Sequence, residues 1–232
     1  LITFVNKVRL AYKKIIEKWD DEEYAKVVVS YLALGVDRLA NRTSQQNVWN
    51  VFAEKAEQVF LRQALPILWD YCEINSIENQ GWEKQFYYIL KSLEPLSSLQ
   101  NPTIITQSSA TSLPYGDNYF DAVFTDPPYY DNVPYSYLSD FFFVWLKRTI
   151  GDLYPDLFST PLTPKSKEIV AYTNHRTWDE AKAYFEDNLK KSFQEIYRVL
   201  KPNGIATIVY THQSTSGWET LINSLLDSGL VI

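Results

Sequence analysis

The chain has 232 residues, 46% hydrophobic and 22% charged, a globular composition that excludes a disordered, collagen-like or disulfide-built protein. Lys and Arg number 22 against 28 Asp and Glu, so the net charge is −6 and any nucleic-acid site must be a local feature rather than a global basic field. One cysteine, Cys72, and two histidines, His175 and His212, cannot supply an internal disulfide or a four-ligand zinc site, so the chain reads as metal-free and intracellular.

Residues 2–19 place Ile2, Val5, Val8, Ala11, Tyr12, Ile15, Ile16 and Trp19 at helical intervals. Residues 22–40 repeat the pattern with Tyr24, Val27, Val28, Tyr31, Leu32, Leu34 and Leu39, and Asp20-Asp21 serves as turn and N-cap between the two. The polar stretch 41–47 leads to a predicted helix near 49–64, an apolar helix or turn over 66–73, and a helix over 81–93. This front part, 1–100, reads as a helical layer or insertion, expected to cover a sheet rather than to bind the target.

From Pro102 the period changes. Residues 103–106 are a strand candidate, and 120–125 a second one that stops at Asp126-Pro127-Pro128. A helix over 137–150 follows, its Phe141, Phe142, Phe143 and Trp145 expected to pack on the sheet. A loop with Pro155, Pro161 and Pro164 leads to a long amphipathic helix over 177–200, which Lys201-Pro202-Asn203-Gly204 should end with Gly204 available for a positive φ. Residues 205–210 are a β-branched strand, Ser216 should cap a helix over 217–228, and Gly229 should open a further strand at Leu230. Strands alternating with helices predict a parallel α/β sheet over 101–232.

Residues 1–116 carry 12 basic and 13 acidic groups, leaving 10 and 15 for 117–232, so broad phosphate binding across the α/β part is not expected. Lys147-Arg148, Lys165 with Lys167, and Lys190-Lys191 are local exceptions; they read first as solvated helix ends or faces, with Lys147 and Arg148 the candidates for phosphate contact. No apolar run approaches the roughly 20 residues that span a bilayer, and no basic-then-apolar leader opens the chain. The expected compartment is the cytoplasm. There is no methionine and the first residue is Leu1, so the chain is expected to be part of a longer protein.

The informative segment is Thr125-Asp126-Pro127-Pro128-Tyr129-Tyr130, at the carboxyl end of a strand, where parallel α/β sheets bind ligands. Two prolines fix two φ angles and remove two N–H donors, leaving a stiff edge of carbonyls, one carboxylate and one aromatic ring. That set suits an amino group on a flat ring. Asp126 and the Pro127 carbonyl can each accept one amino proton while Tyr129 stacks on the ring, which aims the nitrogen lone pair at an electrophile. A base within a duplex would have to be flipped out first. Tyr130 and Tyr135 are further stacking or wedge candidates, and His212, in Thr211-His212-Gln213 at the end of strand 205–210, is a candidate at the same sheet edge.

Asp-Pro-Pro-Tyr after a strand resembles the signature of amino-methyltransferases that use S-adenosylmethionine to methylate adenine or cytosine in DNA. The stretch from Thr125 through Asp131-Asn132-Val133-Pro134 to Tyr135, then Leu138-Ser139-Asp140-Phe141-Phe142 and Trp145-Leu146-Lys147-Arg148, resembles adenine-specific DNA methylases of the zinc-ribbon-containing type. Leu34 to Leu39 with Asp37-Arg38, Arg62-Gln63-Ala64-Leu65-Pro66 to Trp69-Asp70-Tyr71, and Arg198 to Gly204 extend the likeness. The resemblance implies a partial class I methyltransferase (Rossmann-like) α/β fold with a helical insertion, a flipped adenine more than a cytosine as substrate, DNA as partner and S-adenosylmethionine as cofactor. It makes Asp126, Pro127, Pro128 and Tyr129 the catalytic positions. Tyr130, Tyr135, His212, Lys147 and Arg148 are the substrate-binding candidates beside them.

The chain departs from that pattern at the cofactor. Its seven glycines, at 35, 81, 116, 151, 204, 217 and 229, never fall within ten residues of one another, so the glycine-rich loop that such enzymes place at a helix N-terminus is absent. The resemblance puts that loop, and any zinc-binding segment, upstream of Leu1 in the same protein. Ser109 and Ala110, with Asp126, are the remaining cofactor candidates, although Ser109 stands where many methyltransferases have Asp. RNA bases, a protein glutamine amide, or a catalytically inactive nucleic-acid-binding module are the alternatives.

Overall fold

A computed structural model describes every residue except Arg62, Gln63, Leu65, Pro102, Asn132, Asn174, His175, Gln213 and Ile232. The reading of His175, the start of the period change at Pro102, parts of the resemblance at 62, 63, 65 and 132, and Gln213 of the segment that carries His212 therefore lie outside the described residues. The chain forms two compact units, 1–102 with 135–166, and 103–134 with 167–232. The architecture is mixed helix and sheet, with a parallel strand pair.

The first unit is built from α1 (Ile2–Trp19) and α2 (Glu22–Ala40), a two-residue hairpin of β1 (Trp49–Asn50) and β2 (Lys55–Ala56), α3 (Trp82–Leu96) and, from beyond the strand region, α4 (Tyr135–Ile150). The first two helices have the expected bounds. Asp20 takes the left-handed conformation that ends α1, and Asp21 caps α2 by accepting a hydrogen bond from the Tyr24 N–H at 2.9 Å. Their apolar faces converge on Val5, Val8, Val29, Ala33, Val36 and Ile150, with Trp145 and Leu146 packed against them. Gly35 lets α3 approach, since a β-carbon there would sit 3.1 Å from the Trp82 ring.

Two expectations fail here. The aromatic face of α4 does not line a sheet: Phe141 and Phe142 meet Phe60 edge-on, and Trp145 joins the core of α1 and α2. The expected helix near 49–64 does not form over 49–61. Buried Asn47 takes the Ser44 N–H on its Oδ1 and donates to the carbonyls of Asn41 and Glu57, and Asn50 takes the Ala53 N–H, so side chains claim the backbone groups a helix would use. Residues 66–73 carry no regular element.

The second unit contains β3 (Phe120–Thr125), α5 (Trp178–Val199), β4 (Leu200–Ile208) and α6 (Thr215–Leu226). A complete capping box on Thr177 and Glu180 starts α5. The two strands pair in parallel, Ala122 with Ile205 through Thr125 with Ile208, with Lys201–Gly204 looping out of register after Phe120 meets Leu200. That loop-out corrects the expected helix stop: α5 ends at Val199, and Asn203 rather than Gly204 takes the positive φ, at 69°. Ser214, not Ser216, caps α6, accepting from the Gly217 N–H. The core is Tyr130, Ala171, Phe185, Leu189, Phe193, Ile196, Tyr210 and Leu221.

Neither 103–106 nor 230–231 is a strand. Neither finds a ladder partner among the described residues, and Ile105 is 92% exposed. No helix among the described residues is long and apolar enough to cross a membrane.

Candidate functional site

The strand pair brings two loops together. Thr125 ends β3 with its carbonyl accepting the Val209 N–H at 2.9 Å, so the residues after β3 and after β4 leave the sheet side by side. Asp126 is exposed and the two prolines are half-buried. The half-buried Tyr129 donates its hydroxyl to Asp126 Oδ1 at 2.5 Å, and its ring meets Tyr210 edge-on at 5.4 Å.

Tyr130 does not present a stacking face. It is 6% exposed, and its backbone is left-handed at φ 57°, a conformation that costs a non-glycine residue about 1–2 kcal/mol. That turn drives the ring into the core against Phe185, while the Tyr130 carbonyl accepts the Ala171 N–H. Burial first, then Glu186 and Asp131, raises its phenol above the ordinary range. Tyr130 thus anchors the loop that carries Asp126 and Tyr129.

The second loop contributes Tyr210 and His212. Tyr210 donates to the Gly217 carbonyl at 3.3 Å, and burial pushes its hydroxyl up to about 12. The His212 ring lies nearly parallel to Tyr210 and edge-on to Tyr130, with Nδ1 2.9 Å from Ser214 Oγ and Nε2 3.5 Å from Asp131 Oδ1. Gly217 makes that seat, because a β-carbon would come 2.3 Å from the imidazole. Asp131 and Ser214 were not legible as site residues; only their nearness in sequence to Tyr130 and His212 signalled them. No family model, curated protein or solved structure matches this chain.

The cofactor candidates lie elsewhere in the same unit. Ser109 and Ala110 are exposed on a small turn in which Ser109 accepts the Ser112 N–H. The following Leu113 is tied to the C-terminal end of α5 by Glu195 Oε2 on its N–H and Arg198 on its carbonyl. Since the next backbone bonds run from Asn118 and Tyr119 to Arg198 and Val199, this segment is anchored at the start of β3, the end opposite Asp126. Tyr135, Lys147 and Arg148 belong to α4 in the helical unit. Lys147 donates to the Thr160 carbonyl at 2.6 Å, and the Arg148 guanidinium stands 5.6 Å over Trp145.

A cleft of about 980 Å³ is lined by Tyr197, Leu200, Ile205, Leu225 and Leu230, and one of about 440 Å³ lies between α5 and α6. Neither is lined by Asp126 or Tyr129. Chemically, the strand-end pair offers one carboxylate oxygen held by a phenol, a second oxygen with no partner among the described residues, and a rigid carbonyl edge beside them.

Proposed function

We propose that the chain carries the acceptor-base end of an S-adenosylmethionine-dependent amino-methyltransferase acting on adenine in DNA. The observation that supports this most is the pairing of Asp126 and Tyr129 on a Pro-Pro turn at the carboxyl end of a strand in a parallel pair. Tyr129 holds Oδ1, which leaves Oδ2 to accept one amino hydrogen of a flipped base, and the Pro127 carbonyl accepts the other. Two acceptors fix the position and orientation of the nitrogen, so its lone pair is aimed for in-line attack. The Tyr129 ring, braced by Tyr210, supplies the stacking surface that offsets part of the unstacking cost.

The methyl donor is another matter. Its site does not fit the residues described: the Ser109–Ala110 turn is exposed and anchored away from Asp126, and no glycine-rich loop exists. No residue of the chain is assigned to hold it, and no step is derived through it. The position of the Ser109–Ala110 turn, anchored at the end of β3 opposite Asp126, favours one second reading, a nucleic-acid-binding module without transfer activity.

Methyl transfer to unmethylated DNA by the full-length gene product, read as N6-methyladenine by nucleoside mass spectrometry, separates the two. Transfer that falls about a hundredfold or more in Asp126→Ala supports the enzyme. DNA binding with no transfer by the wild type supports the module. Methylation of RNA or protein instead of DNA moves the acceptor class and keeps the chemistry.

A further inference from the structure

The chain is acidic, but its first helix is not. Within α1 stand Lys7, Arg9, Lys13, Lys14 and Lys18 against one acidic side chain, Glu17. The rest of the chain is left with 17 basic and 27 acidic groups. At 3.6 residues per turn Lys7, Lys14 and Lys18 fall within one narrow stripe, about 10 Å and about 6 Å apart along the axis, with Lys13 one step round the helix. All four are exposed. Arg9 is engaged with Asp152 and the Arg148 carbonyl, and Lys18 lies 4.3 Å over Trp19, whereas Lys7, Lys13 and Lys14 form no ion pair among the described residues. On α5, by contrast, Lys182, Lys190 and Lys191 each face a carboxylate, of Glu186, Asp227 and Asp187.

We infer that the outer face of α1 is a binding surface for the phosphate backbone of duplex DNA. The inference rests on the proposed acceptor for the identity of the polyanion. Unpaired cations at regular spacing release condensed counterions when they meet phosphates, which supplies affinity without sequence preference. A basic helix could instead lie on an anionic membrane, but that mode needs a free apolar face. In α1 that face is committed: Val5 and Val8 are 5% and 3% exposed, packed in the core with Val29 and Val36. What the helix offers outward is the lysine stripe, with Ile2, Leu10 and Trp19 as separate exposed apolar side chains rather than one continuous face.

The test is fluorescence anisotropy of a short DNA duplex bound by the full-length gene product between about 50 and about 200 mM salt. The triple variant Lys7→Gln, Lys14→Gln, Lys18→Gln should bind about tenfold or more weakly at the low end and flatten the log–log salt slope by about 2 to 3, near 0.9 for each phosphate no longer neutralised. Lys182→Gln, Lys190→Gln, Lys191→Gln, which removes the same charge from ion-paired positions, should keep the wild-type slope. The inference is overturned if the first variant keeps wild-type affinity and slope, or if both variants lose binding equally. Binding of phosphatidylserine vesicles in place of DNA, lost in the first variant, overturns it in favour of a membrane surface. Methyl transfer by the same preparations keeps the two claims apart. A stripe variant that keeps slope and transfer sinks only the surface, and a wild type that binds through the stripe but transfers nothing sinks only the enzyme.

Discussion

Asp37 has no counterpart to what Asp126 finds in Tyr129. It lies on α2 at 7% exposure, and its Oδ1 has no hydrogen-bond partner among the described residues. Burial pushes its carboxyl up to about 8 from 3.8. The unfolded chain ionises this group near pH 4 while the folded chain keeps the proton to about 8, so unfolding releases a proton in between. Stability should therefore be full below about pH 4 and fall as the pH rises to about 8. Asp37→Asn should remove that decline, making the variant the more stable protein at about pH 8 by urea denaturation; identical pH profiles for the two proteins would contradict the assignment. Tyr130 makes a different point at this scale. In sequence it is one of two adjacent tyrosines, and a single left-handed residue sends its ring to the core while Tyr129 stays with Asp126.

At the scale of elements, the decisive contacts are side chains that hold backbone. Asn47 is fully buried and bonds three main-chain groups, so Asn47→Ala strands the Ser44 N–H and the Glu57 carbonyl and leaves the Asn41 carbonyl with the Val59 N–H alone. The expected cost is about 2–3 kcal/mol, measured by chemical denaturation, and a loss below about 0.5 kcal/mol would show that the hairpin does not depend on it. Glu195 plays a like part on α5. Hydrogen bonds from Arg198 first, then the Leu113 N–H, hold its carboxyl down to about 2. A carboxyl lowered from 4.5 contributes stability above about pH 4.5 and loses it as the pH falls toward 2, so Glu195→Gln should flatten the acid limb of the stability curve there. An unchanged acid limb would sink that role.

The same contacts explain what was legible beforehand. Helices α1 and α2 bury a continuous face, so apolar spacing alone locates both ends; α5 is found within a residue because its pattern is equally complete. The hairpin at 49–56 was hidden because asparagine side chains, not periodicity, decide it. The candidates at 103–106 and 230 had strand composition but no partner to pair with, and composition does not supply one. The strand end at Asp126 was legible because consecutive prolines cannot continue a ladder. The meeting of Tyr210, His212 and Asp131 was not, since it depends on the register of β3 against β4.

At the scale of the molecule, two units each bury a core of their own, and helix α4 belongs with the front helices although it follows the Asp126 loop in sequence. Charge is divided unevenly too: α1 carries five basic side chains against one acidic, and the rest of the chain 17 against 27. The central claim concerns the strand-end turn, and one measurement tests it most directly: the yield of N6-methyladenine when the full-length gene product and its Asp126→Ala variant are incubated with S-adenosylmethionine and unmethylated DNA. The account predicts methylated DNA from the wild type and a yield lower by about a hundredfold or more from a variant that unfolds at the same urea concentration. Equal yields from the two proteins would contradict it.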